Sequence, residues 1–65
     1  MKYYKIMING ATLCCIKTDL SININNINSV LSDLKFELPD SIEKIIELDA
    51  KEAYEYYDVI DYWVT

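Results

Sequence analysis

Asn9-Gly10 constrains this chain more than any other pair of residues, because it stands between two apolar-rich runs, Tyr3 to Ile8 and Ala11 to Ile16. The two central positions of a type I′ turn need positive φ, which Asn and Gly tolerate best, so the segment predicts a two-residue β-hairpin. A two-residue turn also sets a register, in which Ile8 opposes Ala11, Ile6 opposes Leu13 and Tyr4 opposes Cys15. Those pairs put six apolar side chains on one face. The other face receives Met7 with Thr12, Lys5 with Cys14 and Tyr3 with Ile16.

The rest of the chain alternates between strand and helix signals. Ser21 to Asn26 alternates like a strand, but Asn23, Asn25, Asn26 and Asn28 favour loops and caps through local bonds to the backbone. Ile27, Val30, Leu31 and Leu34 then recur at the i, i+3, i+4, i+7 spacing of one helix face. A short helix is expected from about Asn26 to Phe36, capped by Asn25 or Asn26, with Pro39 forbidding its continuation. Residues 40–48 have both a helical and a strand reading. The strand, Glu43 to Leu48, is preferred because it leaves Asp49 free to cap a second helix, with Glu52 three residues on. In that helix Ala53, Tyr56, Tyr57 and Ala50 are placed inward, and Lys51, Glu55 and Asp58 outward. Val59 to Val64 is preferred as a closing strand with Ile60, Tyr62 and Val64 on one side, since β-branched and aromatic residues dominate it. The expected fold is one compact α+β domain over residues 1–65: an N-terminal β-hairpin, two short helices and one or two further strands, in the order ββαβα with a closing strand preferred after it.

Size and charge narrow the function classes. A domain of 65 residues buries only about 60% of the surface its unfolded chain exposes, which leaves little room for a deep cavity and keeps oligomerisation open. Eleven acids against six Lys give a net charge of −5 and a pI near 4.3, with no Arg and no His. This balance disfavours direct contact with nucleic acid or anionic lipid and favours a basic protein partner. No stretch approaches the ~20 apolar residues of a membrane span. The start Met1-Lys2-Tyr3-Tyr4-Lys5 lacks the apolar core of a signal peptide, so the expected location is the cytoplasm. Adjacent Cys14 and Cys15 on a strand point to opposite faces, a poor geometry for a bridge, and are expected as reduced thiols with one in the core.

The chemistry-bearing residues point away from catalysis. Without His, neither Ser21, Ser29, Ser32 and Ser41 nor the two Cys have the usual activating base. Gly10 alone cannot make a phosphate-cradling loop. Asp33, Asp40, Asp49, Asp58 and Asp61 are scattered without the spacing of a calcium loop, so neither a metal nor another cofactor is expected, and no enzyme activity. The C-terminal third is the unusual part. Tyr54, Tyr56, Tyr57, Tyr62 and Trp63 interleave with Glu52, Glu55, Asp58 and Asp61, and one small core can hardly bury all five rings. Exposed Tyr and Trp anchor interfaces, and acids around them suit a partner rich in Lys and Arg. The candidate partner-binding residues are therefore Glu52, Glu55, Asp58, Asp61, Tyr54, Tyr62 and Trp63. Were the last helix to continue through this segment, its four acids would rise about 4.5 Å per step and imitate a row of phosphates.

Ile, Lys, Asn and Tyr make up 27 of the 65 residues, the bias of an AT-rich genome. With Lys2-Tyr3-Tyr4-Lys5-Ile6 and the Asn9-Gly10 hairpin, the chain resembles small orphan proteins of phages and prophages of low-GC bacteria. The resemblance implies an inhibitor directed at a host nucleic-acid-handling or defence complex, of the anti-CRISPR type, acting by binding in the host cytoplasm. The competing expectations are a small structural or assembly subunit that oligomerises through its hairpin edge or aromatic face, and an antitoxin-like neutraliser of a basic toxin.

Overall fold

The computed structural model describes residues 1–37 and 41–63. Its elements are β1 (Lys2–Ile8), β2 (Ala11–Thr18), α1 (Ile27–Asp33), β3 (Lys44–Leu48), α2 (Ala50–Tyr56) and β4 (Val59–Asp61). The α+β fold with an N-terminal hairpin and a closing strand is therefore as the residue pattern predicts, while Pro39 and Val64 lie outside the described residues. Asn9 and Gly10 both take positive φ, 49° and 77°, as a type I′ turn requires.

The register departs from the expected one after two pairs. Ile8 opposes Ala11 and Met7 opposes Thr12, but then Ile6 opposes Cys14, Lys5 opposes Cys15, Tyr4 opposes Ile16 and Tyr3 opposes Lys17. Leu13 is the extra residue of a β-bulge. Its effect is to exchange the faces of everything that follows. The run Leu13-Cys14-Cys15-Ile16 is apolar throughout, so alternation cannot hold it in one register, and packing decides instead. The bulge carries Ile16, fully buried, to the side of Tyr4 and Ile6, and sets Cys15 on the side of Tyr3.

Both sides of the hairpin are covered. The sheet order is β3-β1-β2-β4, with β3 antiparallel to β1 and β4 parallel to β2. The chain thus crosses from β2 over β1 to β3 by way of α1, then returns from β3 to β4 by way of α2. Two crossovers of one hand that travel in opposite directions must use opposite faces. Ile27, Val30 and Leu31 of α1, with Ile22, pack against Tyr4, Ile6, Cys14 and Ile16. Ala53 of α2 packs with Tyr3, Cys15 and Leu48 on the other side.

Local chemistry shapes the connections. The Asn-rich segment is a loop, because its side chains bond to nearby backbone. Asn23 Oδ1 accepts from the Asn25 N–H (2.8 Å), and Asn26 Oδ1 accepts from the Asn23 N–H (2.8 Å) while its Nδ2 donates to the Ser21 carbonyl (2.9 Å). Asn26 occupies the N-cap position of α1, yet its side chain is committed to this loop and does not cap the helix. The helix ends at Asp33, three residues short of the expected end. The Phe36 N–H bonds back to the Leu31 carbonyl and the Lys35 N–H to the Ser32 carbonyl, closing a Schellman motif with Lys35 at φ 67°. Asp49 caps α2 as its spacing predicts, accepting from the Glu52 N–H at 2.7 Å.

Two substitutions check these turns. A Cβ on Gly10 would meet no atom within 4 Å, so Gly10→Val acts through backbone strain alone. A β-branched residue held at positive φ should cost at least about 1–2 kcal/mol and lower the melting temperature; an unchanged melting temperature would refute the turn. Lys35 occupies a conformation that favours glycine, so Lys35→Gly should stabilise the fold by about 1 kcal/mol. Thermal unfolding of that variant at or below the parent temperature would contradict the left-handed helix end.

Candidate functional site

Part of the acidic and aromatic set of the C-terminal third, Glu52, Tyr54, Glu55 and Tyr56, is displayed by α2, a helix of seven residues whose sole buried member is Ala53. A small side chain at the contact lets the helix backbone sit close to the sheet and leaves most of its circumference to solvent. Tyr54 and Tyr56 leave the helix on opposite sides of the Ala53 line, since positions two apart are separated by about 200° around the axis. Tyr54 is 57% exposed and packs edge-on against Tyr3, with ring centroids 5.6 Å apart and planes at 72°. Tyr56, expected inward, is 68% exposed. Tyr57 packs inward as expected, because it continues the Ala53 line at i+4. Its ring packs at 6.5 Å and 67° against Tyr56, and Lys5 lies 5.5 Å from its centroid, with Nζ donating to the Tyr57 hydroxyl at 3.2 Å. Ala50, also placed inward by the helical pattern, is exposed at the first turn.

The seven candidate residues divide into groups. Glu52, Tyr54 and Glu55 stand together on α2, and Asp58 follows in the link to β4, all exposed. Asp61 lies on β4 opposite Lys17, on the side of Tyr3 and Tyr54. There Lys17 is held protonated above its ordinary range, first by the Tyr54 hydroxyl and also by Tyr3 and Asp61. Tyr62 belongs to the other face: its ring packs beside the α1 cluster and its hydroxyl donates to Asp33 Oδ2 at 2.6 Å, which raises its pKa. Trp63, 46% exposed, lines a shallow recess of about 270 Å³ with Thr18, Asp19 and Leu20. Because α2 stops at Tyr56, the four acids do not form a continuous helical row.

Some arrangements have no signature in the local sequence. The Glu43 carboxylate accepts from the Gly10 N–H at 2.6 Å and its own N–H donates to the Met7 carbonyl, tying the hairpin tip to the approach to β3. An open groove of about 590 Å³ beside β3 is lined by residues that include Ile22, Ile24, Ile42, Ile45 and Glu47. Both features join residues far apart in the chain, and only the sheet order brings them together.

Cys14 and Cys15 are free and on opposite faces, as their adjacency on a strand implies, but both are buried where only one was expected in the core, because each face of the hairpin is covered. Burial, then the neighbouring Cys15, pushes the Cys14 thiol up to about 11; burial also raises Cys15, with Lys5 opposing. Among the described residues no group of three His, Cys, Asp or Glu side chains could hold a metal ion, and no helix is long and apolar enough to cross a membrane. Comparison with family models, with curated proteins and with solved structures finds no match.

The thiols allow a pH test. Cys14 keeps its proton to higher pH in the fold than in the unfolded chain, where its ordinary value is 9.0. Its contribution is therefore intact below pH 9 and is lost as the pH rises through about 11. Unfolding free energy measured between these limits should fall more steeply for the parent than for Cys14→Val. Equal slopes would contradict a buried, neutral Cys14.

Proposed function

We propose that this chain is a non-enzymatic protein-binding protein that presents the outer face of α2 to a basic partner surface. The observation that carries the reading is the coincidence of Tyr54 and Tyr56, both more than half exposed, with Glu52, Glu55 and Asp58 around them. Rigid aromatic rings supply contact area at small entropic cost, and surrounding carboxylates attract and orient a surface rich in Lys and Arg. A net charge of −5 extends that attraction beyond the contact itself. Catalysis fits the chain poorly, since it has no His to activate its hydroxyl groups or its two buried thiols.

The biological setting we propose follows from the composition and the hairpin: a phage-encoded inhibitor, anti-CRISPR-like in manner, that blocks a host nucleic-acid-handling or defence complex from within the host cytoplasm. Proteins that handle nucleic acid carry basic surfaces, which is the chemistry the α2 face would meet. A second reading, an oligomerising subunit, loses the hairpin edge expected for it, because β1 and β2 are the two central strands, and draws instead on β3 at the sheet edge with the groove beside it. A concentration-independent monomer in sedimentation would remove it.

The binding reading is tested by capture from bacterial lysate on immobilised protein, comparing the parent with a folded Glu52→Gln, Glu55→Gln, Asp58→Asn variant. Basic proteins should be retained by the parent at low salt, and depleted both at high salt and on the variant, because exposed charges are screened. Retention indifferent to salt and to the three substitutions would move the interface away from α2.

A further inference from the structure

β3 ends the sheet: it is bonded to β1 on one side, and among the described residues no strand pairs with its outer side. An edge strand presents a row of N–H and C=O groups that can accept another chain. The opposite edge, β4, is only three residues long, and very short edges resist such pairing. β3 has five residues and neither Pro nor Gly. The groove of about 590 Å³ lies beside it, lined in part by Ile42 and Ile45 and by Ile22 and Ile24 from the segment before α1. Ile24 is 65% exposed, a large apolar side chain left to water at this groove. Alternation along β3 sends Ile45 and Glu47 to the α1 side of the sheet and Lys44 and Ile46 to the α2 side.

Charge decides what can occupy this edge. Residues directly opposite each other in an antiparallel pair share a face, and like charges there repel. A second copy related by a two-fold axis pairs β3 antiparallel to itself with the faces of both sheets preserved, so one residue must oppose its own copy at the centre. Centred on Ile45, the pair sets Glu43 against Glu47. Centred on Lys44 or on Glu47, it sets a charge against its own copy. Centred on Ile46, it sets Glu47 against Ile45 and Lys44 against Leu48, charge on apolar at both places. A strand from a different protein is free of that symmetry and can match Lys44 with an acid and Glu47 with a base.

We infer that β3 accepts an extended segment of a partner protein as an added antiparallel strand, one that reads base, apolar, apolar, acid from its N-terminal end. Its base meets Glu47 and its acid meets Lys44, both exposed. The apolar residue opposite Ile45 points to the α1 side and enters the groove beside Ile24. Backbone hydrogen bonds supply the attachment, and the alternating side chains select the sequence. This edge is a different surface from the outer face of α2, and the inference stands apart from the basic-partner reading.

The test uses two acetylated and amidated octapeptides of one composition, Thr-Thr-Lys-Val-Val-Glu-Thr-Thr and Thr-Thr-Glu-Val-Val-Lys-Thr-Thr, titrated at low salt into isotopically labelled protein. The peptide with Lys first should bind at least about five-fold more tightly, with the largest amide shifts on β3 and Ile24. A Lys44→Glu, Glu47→Lys double variant keeps the net charge and should reverse the preference. Ile24→Asn should weaken the peptide with Lys first by at least about three-fold through lost apolar contact. All three positions are exposed, so each variant should melt near the parent temperature. Absence of shifts on β3 with either peptide would overturn the inference, as would equal binding of the two or a preference unchanged in the double variant. A dimer joined through β3 in sedimentation and cross-strand contacts would assign the edge to a second copy and overturn it as well. None of these outcomes touches the capture test of the α2 face, so the two readings fail separately.

Discussion

Everything in this fold depends on the central hairpin being buried on both of its faces. A 65-residue chain cannot build a thick core, and a two-layer arrangement would leave one side of β1 and β2 in water. Here Tyr4, Ile6, Cys14 and Ile16 form one floor and Tyr3, Cys15 and Leu48 part of the other. The bulge at Leu13 makes this two-sided arrangement work. Without it Ile16 would fall on the side of Lys5 and Tyr3, where α2 offers only Ala53, and the larger cluster beneath α1 would lose a fully buried isoleucine. Burying such a side chain contributes about 1.5–3 kcal/mol, a large share of what a small domain possesses.

The two sides are unequal, and the inequality has a functional consequence. On one side α1 commits three large residues to the core and is tied down further by Ile22 and by the Tyr62–Asp33 hydrogen bond. On the other side α2 commits one alanine and is held at its ends, by the Asp49 cap and by Tyr57 against Lys5. A helix attached by so narrow a contact keeps its other side chains outside. The same economy that lets α2 cover the sheet with a small residue leaves Glu52, Tyr54, Glu55 and Tyr56 as surface. In the proposed reading, that outer surface is what a basic partner meets.

Much of this was legible in the residues themselves. Asn9-Gly10 marked the turn because few residues accept positive φ in succession, and Asp49 with Glu52 three positions on marked the start of α2. The spacing of Ile27, Val30 and Leu31 marked the face of α1. What the residues could not reveal was decided by packing between distant segments. Alternation sets a register only where polar residues interrupt the apolar ones, and Leu13 to Ile16 contains none. The end of α1 was assigned to Pro39, but a left-handed Lys35, a residue with no preference for that conformation, closes the helix earlier. The candidate site was legible as a composition and not as a surface. One stretch of chain contributes Tyr54 to one face and Tyr62 to the other, because β4 follows α2 in the sequence and turns alternate residues to opposite sides of the sheet.

The claim of a hairpin packed on both faces is tested most directly by nuclear Overhauser contacts from the two cysteines. The bulged register predicts that the Cys14 β-protons contact the apolar set around α1 and that the Cys15 β-protons contact Tyr3, Leu48 and the Ala53 methyl group. Contacts exchanged between the two cysteines, with Cys15 facing α1 and Cys14 facing α2, would show an unbulged hairpin and contradict the account at its centre.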